Sequence, residues 1–340
     1  MEYGAIDLHL KASLIRIVDA DGAVVLDRTV STTRAALTQV FAGRAPLRVL
    51  LESGTESEWV AQTVEACGHE VIVADPNYAL MYGHRSRQIK TDRRDVAALA
   101  EACRLGIYRA AHRVSAAQRE ARRVVRIREQ LVRMRTQTIN QLRAQLRQEG
   151  IRLGSGGAET VVRRLDALAL PAALRAGLAP LHAMLTSLAP LITTATADLK
   201  ARASADPVVR RLLTVPGIGP ITAVTYRATL DTWERFGDAR AVTAFLGLVP
   251  REDSSGTRHR KGAITKAGPG PVRALLVQAA WVVWRQRQGR AALHAWVERL
   301  AARRGKRIAV VALARRLARI LFAVWRDETE YQAVPIVAVA

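Results

Sequence analysis

Few cysteines and the lack of a long uncharged apolar run are the first features of this sequence of 340 residues. Its two cysteines, Cys67 and Cys103, fall in apolar helical patterns, which is typical of buried thiols and not of a disulfide framework or a zinc site. The chain enters a strand pattern at once, without the pattern of a signal peptide. We find no uncharged apolar stretch of about 18 residues, and the C-terminal apolar run 313–325 contains three arginines. These absences predict a cytoplasmic protein without a membrane span.

Charge is unevenly distributed along the chain. Residues 1–113 hold 14 lysines and arginines against 14 aspartates and glutamates, so the whole net charge of +22 lies on residues 114–340. A neutral segment joined to a strongly basic one is typical of a catalytic domain attached to a module that binds a polyanion. A generally arginine-rich proteome is the alternative, but it does not explain the asymmetry.

The first 113 residues alternate between strand and helix patterns. In chain order these are strands at 3–9, 12–19 and 22–30, a helix capped by Ser31, a strand at 47–52, a helix at 56–67, a strand at 70–74 and a helix at about 92–104. An antiparallel meander followed by alternating elements predicts a mixed sheet with helices on both faces. We therefore assign residues 1–113 to an α/β ribonuclease-H-like domain.

Residues 115–149 contain no glycine or proline and follow a helical pattern. One face repeats mostly apolar side chains three or four residues apart, namely Ile127, Leu131, Met134, Thr138, Leu142 and Leu146. The stripe suits a coiled coil, a helical hairpin or a dimer seam. Nine arginines between residues 119 and 147 suit a nucleic-acid backbone, although a solvated basic helix is an equally good interpretation. We assign 114–150 to this long basic helix.

Glycine and proline divide the remainder of the chain. Residues 151–206 open with a break at Gly154–Gly157 and continue as Ala- and Leu-rich helices, which predicts a helical linker. The helices of this segment are expected to end at Pro171, Pro180 and Pro190. Residues 207–330 are predicted to form a mostly α-helical C-terminal domain, followed by a tail at 331–340.

Four carboxylates occupy positions from which they can converge. Asp7 and Glu52 each end a β-rich run, while Asp92 and Asp95 lie three residues apart at the start of a predicted helix. Any one of them could be a surface acid or a helix-stabilising charge, but together they favour a shared site. Carboxylates without histidine or cysteine partners select hard cations such as Mg²⁺ or Mn²⁺, which promote phosphoryl transfer. The neighbouring cations that could steer phosphates are Lys90, Arg93 and Arg94.

Two C-terminal segments are candidates for contact with nucleic acid. Residues 212–224 place a turn at Pro216–Gly219 between two apolar helix patterns, which is typical of a helix-hairpin-helix element. Gly217 and Gly219 would let backbone N–H groups hold a phosphate; a plain turn in a helical core is the alternative. A Ser-Ser-Gly loop at 254–256 is, on spacing alone, more typical of phosphate binding than of a nucleophile. The basic residues after it are Arg258, Arg260, Lys261 and Lys266.

Short motifs in both halves resemble those of the DEDD-type insertion-sequence transposases, a family that includes the Piv-type DNA invertases and the bridge-RNA-guided recombinases. The N-terminal motifs are Ala5-Ile-Asp-Leu-His, Leu50-Leu-Glu-Ser-Gly, Gly68-His-Glu-Val, Asp75-Pro-Asn and Lys90-Thr-Asp-Arg-Arg-Asp-Val-Ala-Ala-Leu-Ala. The C-terminal motifs are Val215-Pro-Gly-Ile-Gly-Pro, Phe245-Leu-Gly-Leu-Val-Pro, Ser254-Ser-Gly and Ile264-Thr-Lys-Ala-Gly. Each motif alone is moderately specific, and their order and spacing along nearly the whole chain are highly specific.

The resemblance implies a RuvC-like nuclease domain and a C-terminal transposase domain with a nucleophilic serine. The metal-binding acids would be Asp7, Glu52, Asp92 and Asp95. The serine maps to Ser255, next to Ser254. It would attack a DNA phosphate in a Mg²⁺- or Mn²⁺-dependent reaction, form a covalent phosphoserine intermediate and permit strand exchange, in a composite site built from different protomers.

The resemblance also implies partners. These are double-stranded donor and target DNA, a structured guide RNA from the element that supplies sequence recognition by base pairing, and further copies of the chain in a dimer or tetramer. The protein would work in the bacterial cytoplasm and associate with the nucleoid when bound to DNA.

Two other functions fit the residues. The same acids could serve a hydrolytic nuclease or junction resolvase in which water is the nucleophile. A nucleic-acid-binding protein without catalysis is the third interpretation.

Overall fold

The computed structural model describes residues 1–82, 91–255, 258–286 and 291–333. The chain divides into two compact units, Met1–Arg113 and Val114–Ala340.

The first unit is built on a five-stranded mixed sheet in the order β3-β2-β1-β4-β5. Its strands are β1 (Tyr3–Asp7), β2 (Ala12–Val18), β3 (Val24–Ser31), β4 (Arg48–Glu52) and β5 (Glu70–Ala74). The central strand β1 pairs antiparallel with β2 and parallel with β4. This is the order of a ribonuclease-H-like domain, so the predicted mixed sheet is confirmed.

Helices cover both faces of this sheet, as predicted. They are α1 (Arg34–Phe41), α2 (Ser57–Glu65) and α3 (Asp92–Leu105), with a 3₁₀ turn at Ala79–Tyr82. Because neighbouring strand residues point to opposite faces, Ile6 packs in the cluster under α1 and α2 whereas Ala5 packs in the cluster under α3. The predicted cap is wrong by two residues: Ser31 ends β3, and the side chain of Thr33 accepts the hydrogen bond that caps α1.

The second unit begins with an antiparallel pair of long helices. The elements are α4 (Ala116–Gln148), a 3₁₀ turn (Ala158–Thr160), α5 (Val161–Asp166) and α6 (Ala172–Ala205). Leu142 near the end of α4 is buried with Leu178 near the start of α6, and Arg128 earlier in α4 donates a 2.9 Å hydrogen bond to Thr196. The segment 151–206, predicted to be a linker, therefore supplies the second arm of a helical hairpin.

Two prolines expected to end helices, Pro180 and Pro190, lie inside α6. Both are exposed, so the carbonyl groups that lose a hydrogen-bond donor can turn to water. The opposite face buries leucines that contact α4 or the adjacent core, and this packing outweighs the local cost of the prolines.

One segment comes near to an uncharged apolar stretch: residues 176–197 contain no Asp, Glu, Lys or Arg, although they include one histidine, one serine and four threonines. Helix α6 is the one helix in the described ranges that is long and apolar enough to cross a membrane by length and composition, which is weak evidence for a span. Only 22% of its most apolar window is buried.

The rest of the second unit is a helical core with one hairpin. It contains α7 (Pro207–Leu213), α8 (Pro220–Leu230), α9 (Ala239–Phe245), β6 (Pro250–Ser255), β7 (Arg258–Ile264), α10 (Gly270–Arg285), α11 (Ala291–Arg304) and α12 (Lys306–Arg326). Tyr226 of α8 is fully buried, and its hydroxyl donates a 2.9 Å hydrogen bond to the carbonyl of Ala318 in α12. The predicted mostly helical character is confirmed.

Ser254 and Ser255 of the predicted Ser-Ser-Gly loop lie instead at the end of strand β6, which pairs antiparallel with β7. Gly256 lies outside the described residues. Two glycines hold the base of this hairpin. A Cβ atom added to Gly247 would lie 2.0 Å from the carbonyl oxygen of Ala267, and one added to Gly268 would lie 2.0 Å from that of Phe245.

Arg273 completes the base of the hairpin. Its Nη1 donates to the carbonyl of Leu246 at 2.9 Å and to that of Ala267 at 3.3 Å. The Arg273 side chain thus links the chain before β6 to the chain after β7, and because Arg273 belongs to α10 it anchors the hairpin on the helical core.

Replacing Gly268 with Ala should destabilise the protein by about 3 kcal/mol, because the residue has a left-handed φ of 81° and the new methyl group would collide with a backbone carbonyl. Gly262→Ala, in β7 of the same hairpin, is the control: its added Cβ meets no atom closer than 3.8 Å, so we expect a change within about 0.5 kcal/mol. Urea unfolding measures both. Equal losses of stability in the two variants would contradict the close backbone contact between Gly268 and Phe245.

Candidate active site

The carboxyl ends of two parallel strands place the first two predicted acids at one edge of the sheet. Ile6 lies beside Leu51 in the register of β1 and β4, so Asp7 and Glu52 leave the sheet next to each other. Both line an open cavity of about 390 Å³. The segments 8–10 and 53–56 form the rest of its wall.

The first turn of α3 brings the other two acids. The Thr91 hydroxyl caps this helix, accepting a 3.4 Å hydrogen bond from the Arg94 N–H. Asp92 is exposed at the first position, where the helix dipole favours a negative charge, whereas Asp95, one turn later, is buried. Val96, Leu99 and Cys103 are buried on the sheet, and this packing fixes the helix start beside Asp7.

A histidine joins the acids. Nε2 of His9 lies 3.3 Å from Oδ2 of Asp7 and 3.7 Å from Oδ2 of Asp92. The prediction of carboxylates without a histidine partner is therefore wrong. The motif Asp7-Leu8-His9 could have predicted this partner, because residues two apart in an extended chain point to the same side.

Burial and like charges perturb Asp7. Burial raises the pKa of its carboxyl above the ordinary aspartate value; nearby His9 opposes this shift, and the charges of Asp92 and Asp95 add to it. A site that raises the free energy of its own carboxylate is typical of function and not of stability.

The donor set fits a divalent cation. Ligand atoms of Asp7, His9 and Asp92 all lie within 4.8 Å of one another. Oδ2 of Asp7 is buried and accepts no hydrogen bond of normal geometry from the described residues. Two carboxylates and an imidazole suit Mn²⁺ and related ions, and the carboxylates alone suit Mg²⁺. Glu52 lies in the same cavity but outside this compact group of three.

The structure describes two of the three cations predicted beside the site. Arg93 and Arg94 are exposed in the first turn of α3, where they can meet a phosphate approaching the acids. Lys90 lies outside the described residues.

The predicted helix-hairpin-helix segment consists of α7, a turn and α8. Gly217 in the turn has a φ of 82°, and a Cβ there would lie 2.8 Å from the carbonyl oxygen of Ala279. Packing against α10 therefore requires this glycine without any nucleic acid. Gly219 is the residue before α8 and has open space where a Cβ would stand. Their contact with DNA stays a prediction.

The hairpin predicted to carry the nucleophile places Ser255 opposite Arg258 in the strand register. Arg260 and Lys266 are exposed. The side chains of Ser254, Ser255, Arg258 and Lys261 lie outside the described part of the structure, so their roles stay predictions.

The sheet order, with acids at the carboxyl ends of β1 and β4, defines a ribonuclease-H-like DEDD domain. Comparison with known proteins supports this class. Residues 5–150 match the family model for DEDD transposases of the IS110 type, described as "Transposase". Residues 209–295 match a second model, described as "Transposase IS116/IS110/IS902 family".

Relatives resemble the chain over almost its full length. The transposase for insertion sequence element IS1328 of Yersinia enterocolitica is 31% identical over 96% of this chain and 97% of its own. A Pseudomonas aeruginosa protein named "Probable family 20 transposase" is 30% identical over 96% and 97%. The transposase for insertion sequence element IS1111A of Coxiella burnetii is 28% identical over 93% and 87%.

The chain therefore belongs to the IS116/IS110/IS902 family of insertion-sequence transposases. Membership implies an enzyme that processes DNA, and the DEDD domain indicates use of a divalent metal.

Replacing Asp7 with Asn should raise the thermal midpoint of the metal-free protein at pH 7 by about 2 °C. Because the pKa of Asp7 is raised, its ionised form costs stability at neutral pH. As the pH falls through the ordinary aspartate pKa of about 3.9, the carboxyl becomes protonated in the unfolded chain as well as in the folded one, so most of the gain should be lost by pH 3.5. Differential scanning fluorimetry at pH 7 and pH 3.5 measures this.

Asp21→Asn, at an exposed turn position, is the matched control and should leave the midpoint unchanged. Added Mn²⁺ should raise the midpoint of the wild type but not that of Asp7→Asn. A lower midpoint of Asp7→Asn at pH 7 would show that the carboxylate is stabilised in the folded protein and that the charge repulsion inferred here is wrong.

Proposed function

We propose that this transposase cleaves and exchanges DNA strands by metal-dependent phosphoryl transfer, with Ser255 as the nucleophile. The observation that carries the proposal is the convergence of Asp7, His9 and Asp92 at the edge of the sheet, within 4.8 Å of one another. Asp95 and Glu52 lie close by, which completes the four acids of the DEDD motif.

Asp7, Asp92 and His9 would hold the divalent ion, with Asp95 and Glu52 as the remaining acids. When bound, such an ion polarises the scissile phosphate and stabilises the negative charge that develops on it. The exposed Arg93 and Arg94 would hold the flanking phosphates of the strand and so orient it over the acids.

The serine step is a transesterification. The hydroxyl oxygen of Ser255 forms a bond to phosphorus while the bond from phosphorus to the leaving deoxyribose oxygen breaks. The serine loses its proton and the leaving oxygen gains one, so a phosphodiester is exchanged for a phosphodiester. A hydroxyl of the second DNA strand then reverses the step, joins the new partner and releases the serine.

The basic second unit supports binding of donor and target DNA. It bears the whole net charge of +22, and exposed Arg260 and Lys266 lie on or beside the serine hairpin. We expect the enzyme to work on chromosomal DNA, in the bacterial cytoplasm and at the nucleoid.

Exposed apolar side chains on the α4–α6 hairpin support a homo-oligomer. Ile127, Met184 and Leu191 are 52%, 36% and 53% exposed. Apolar residues on long antiparallel helices commonly pack against a second copy. A dimer or tetramer would also supply serines and acids from different protomers to one composite site.

A labelled DNA duplex spanning one end of the element tests the serine assignment. With Mg²⁺, wild type should give a protein–DNA adduct that survives denaturing electrophoresis. Ser255→Ala should lose at least about 10³-fold of adduct formation, whereas Ser254→Ala, the matched control, should retain it. Asp7→Ala should bind DNA and leave it uncut.

Other results would change the proposal. An adduct formed by Ser255→Ala but lost in Ser254→Ala would move the nucleophile by one residue. Cleavage by wild type without any adduct would support the hydrolytic nuclease, and DNA binding without cleavage would support a non-catalytic role.

A structured guide RNA is the last part of the proposal. It rests on the family resemblance, and the strongly basic second unit supports it because such a surface binds RNA as well as DNA. Purified protein should retain one discrete RNA species encoded beside its own gene, recoverable by phenol extraction and sequencing. Only random fragments of cellular RNA, no more abundant than with an unrelated basic protein, would remove this part of the proposal.

A further inference from the structure

A concave surface on α12 is lined by arginines that neither the acid cluster nor the serine hairpin includes. This arginine groove encloses about 660 Å³. Its wall consists of Arg315, Arg316, Arg319, Arg326, Trp296 of α11, Ala239 of α9 and apolar residues of α12 beside the arginines. Arg319 and Arg326 follow Arg315 by four and eleven residues, so the three side chains lie on one helix face.

The opposite face of α12 is part of the core, where Leu313, Leu317 and Leu321 are fully buried. The helix therefore cannot rotate to spread its charges into solvent. Its arginines are held together along the groove by the packing of the other side.

Among the described residues, Arg326 is the one groove arginine that forms an ion pair, at 2.7 Å from Asp327. No carboxylate of the described residues lies within ion-pair distance of Arg315, Arg316 or Arg319. The nearby Asp238 caps α9 through Oδ1, which accepts hydrogen bonds from the N–H groups of residues 240 and 241, and its charge interacts with that of Arg319 from beyond ion-pair distance. Residues 299–326 as a whole contain nine lysines and arginines and no acid.

Two of the arginines are already ordered for binding. Arg315 is half-buried, and its Nε is buried without a hydrogen-bond partner in the described part of the chain. Because this part of the side chain is buried, the Arg315 guanidinium has less freedom to move away from the groove than that of an exposed arginine. The Arg316 guanidinium lies 4.7 Å from the ring centroid of Trp296, which holds it at the edge of the groove.

The length of the groove indicates a polymer. Eleven residues of helix separate Arg315 from Arg326, about 16 Å along the axis. One strand of a duplex presents about five phosphates over that length. A single phosphate ion would engage only one end of the row.

We propose that the arginine groove binds the phosphodiester backbone of nucleic acid, as a second contact surface in addition to the acid cluster and the serine hairpin. It would fix the position of one polynucleotide on the helical core without reading its sequence. The site is independent of the bound metal and of Ser255.

The test compares two triple variants of the full-length protein. The groove variant carries Arg315→Gln, Arg316→Gln and Arg319→Gln. The control variant carries Arg16→Gln, Arg44→Gln and Arg48→Gln, which removes the same charge from arginines that each face a carboxylate. Fluorescence anisotropy measures binding of a DNA duplex and of an RNA hairpin with equal numbers of phosphates, between 50 and 300 mM salt.

The groove variant should bind at least about 10-fold more weakly at 100 mM salt. Its plot of log Kd against log salt concentration should be shallower by about 2 to 3, close to 0.9 for each lost phosphate contact. The control variant should change the slope by less than about 1. An effect on DNA alone, RNA alone or both would support the site and identify its polymer.

Equal slopes for the groove and control variants, with both polymers, would overturn the proposal, and so would a wild type that binds neither. Circular dichroism establishes that each variant is folded. If the triple groove variant unfolds, the double variant of the exposed Arg316 and Arg319 replaces it, with an expected slope change of about 2. Loss of binding with normal adduct chemistry at saturating DNA would separate this site from the serine mechanism.

Discussion

Like charges held close together impose the main constraint on this structure. Asp7, Asp92 and Asp95 interact strongly enough that both helix acids help to raise the pKa of Asp7, after the larger effect of burial. Repulsion of this kind would separate the groups in a flexible chain. Here the central strand β1 fixes Asp7 from one side, and the apolar face of α3 fixes the two helix acids from the other. The free energy of the surrounding core thus maintains a site that is unfavourable by itself.

Much of the first unit follows from sequence alone because its signals are local. Strand ends at Asp7 and Glu52 and the helix start at Asp92 agree with the structure to within a residue or two, since period and capping determine them. His9 was missed for a different reason. Carboxylates alone were expected as metal ligands, whereas the structure brings together side chains of any type that leave the same sheet edge.

The second unit was harder to predict because tertiary packing decides it. Pro180 and Pro190 are helix breakers by local preference, yet α6 continues past both because the packing of its buried leucines stabilises it. The serine segment has the sequence pattern of a loop. Only the close backbone contacts at Gly247 and Gly268 show that it belongs to a hairpin anchored at its base. Contacts of this kind join residues about twenty positions apart, and no pattern within a short window reveals them.

The division of charge between the units has a physical reason under the proposed mechanism. A nuclease needs to hold one strand only until water attacks, but strand exchange must retain both DNA partners while the serine is esterified, since the phosphodiester it forms can be resolved only by the correct hydroxyl. Retention calls for phosphate contacts that persist through the reaction. A metal site has room for few of them, such as Arg93 and Arg94, because further arginines there would compete with the cation for the carboxylates. A neutral unit for the acids and a basic unit for the backbone satisfy both requirements in one chain.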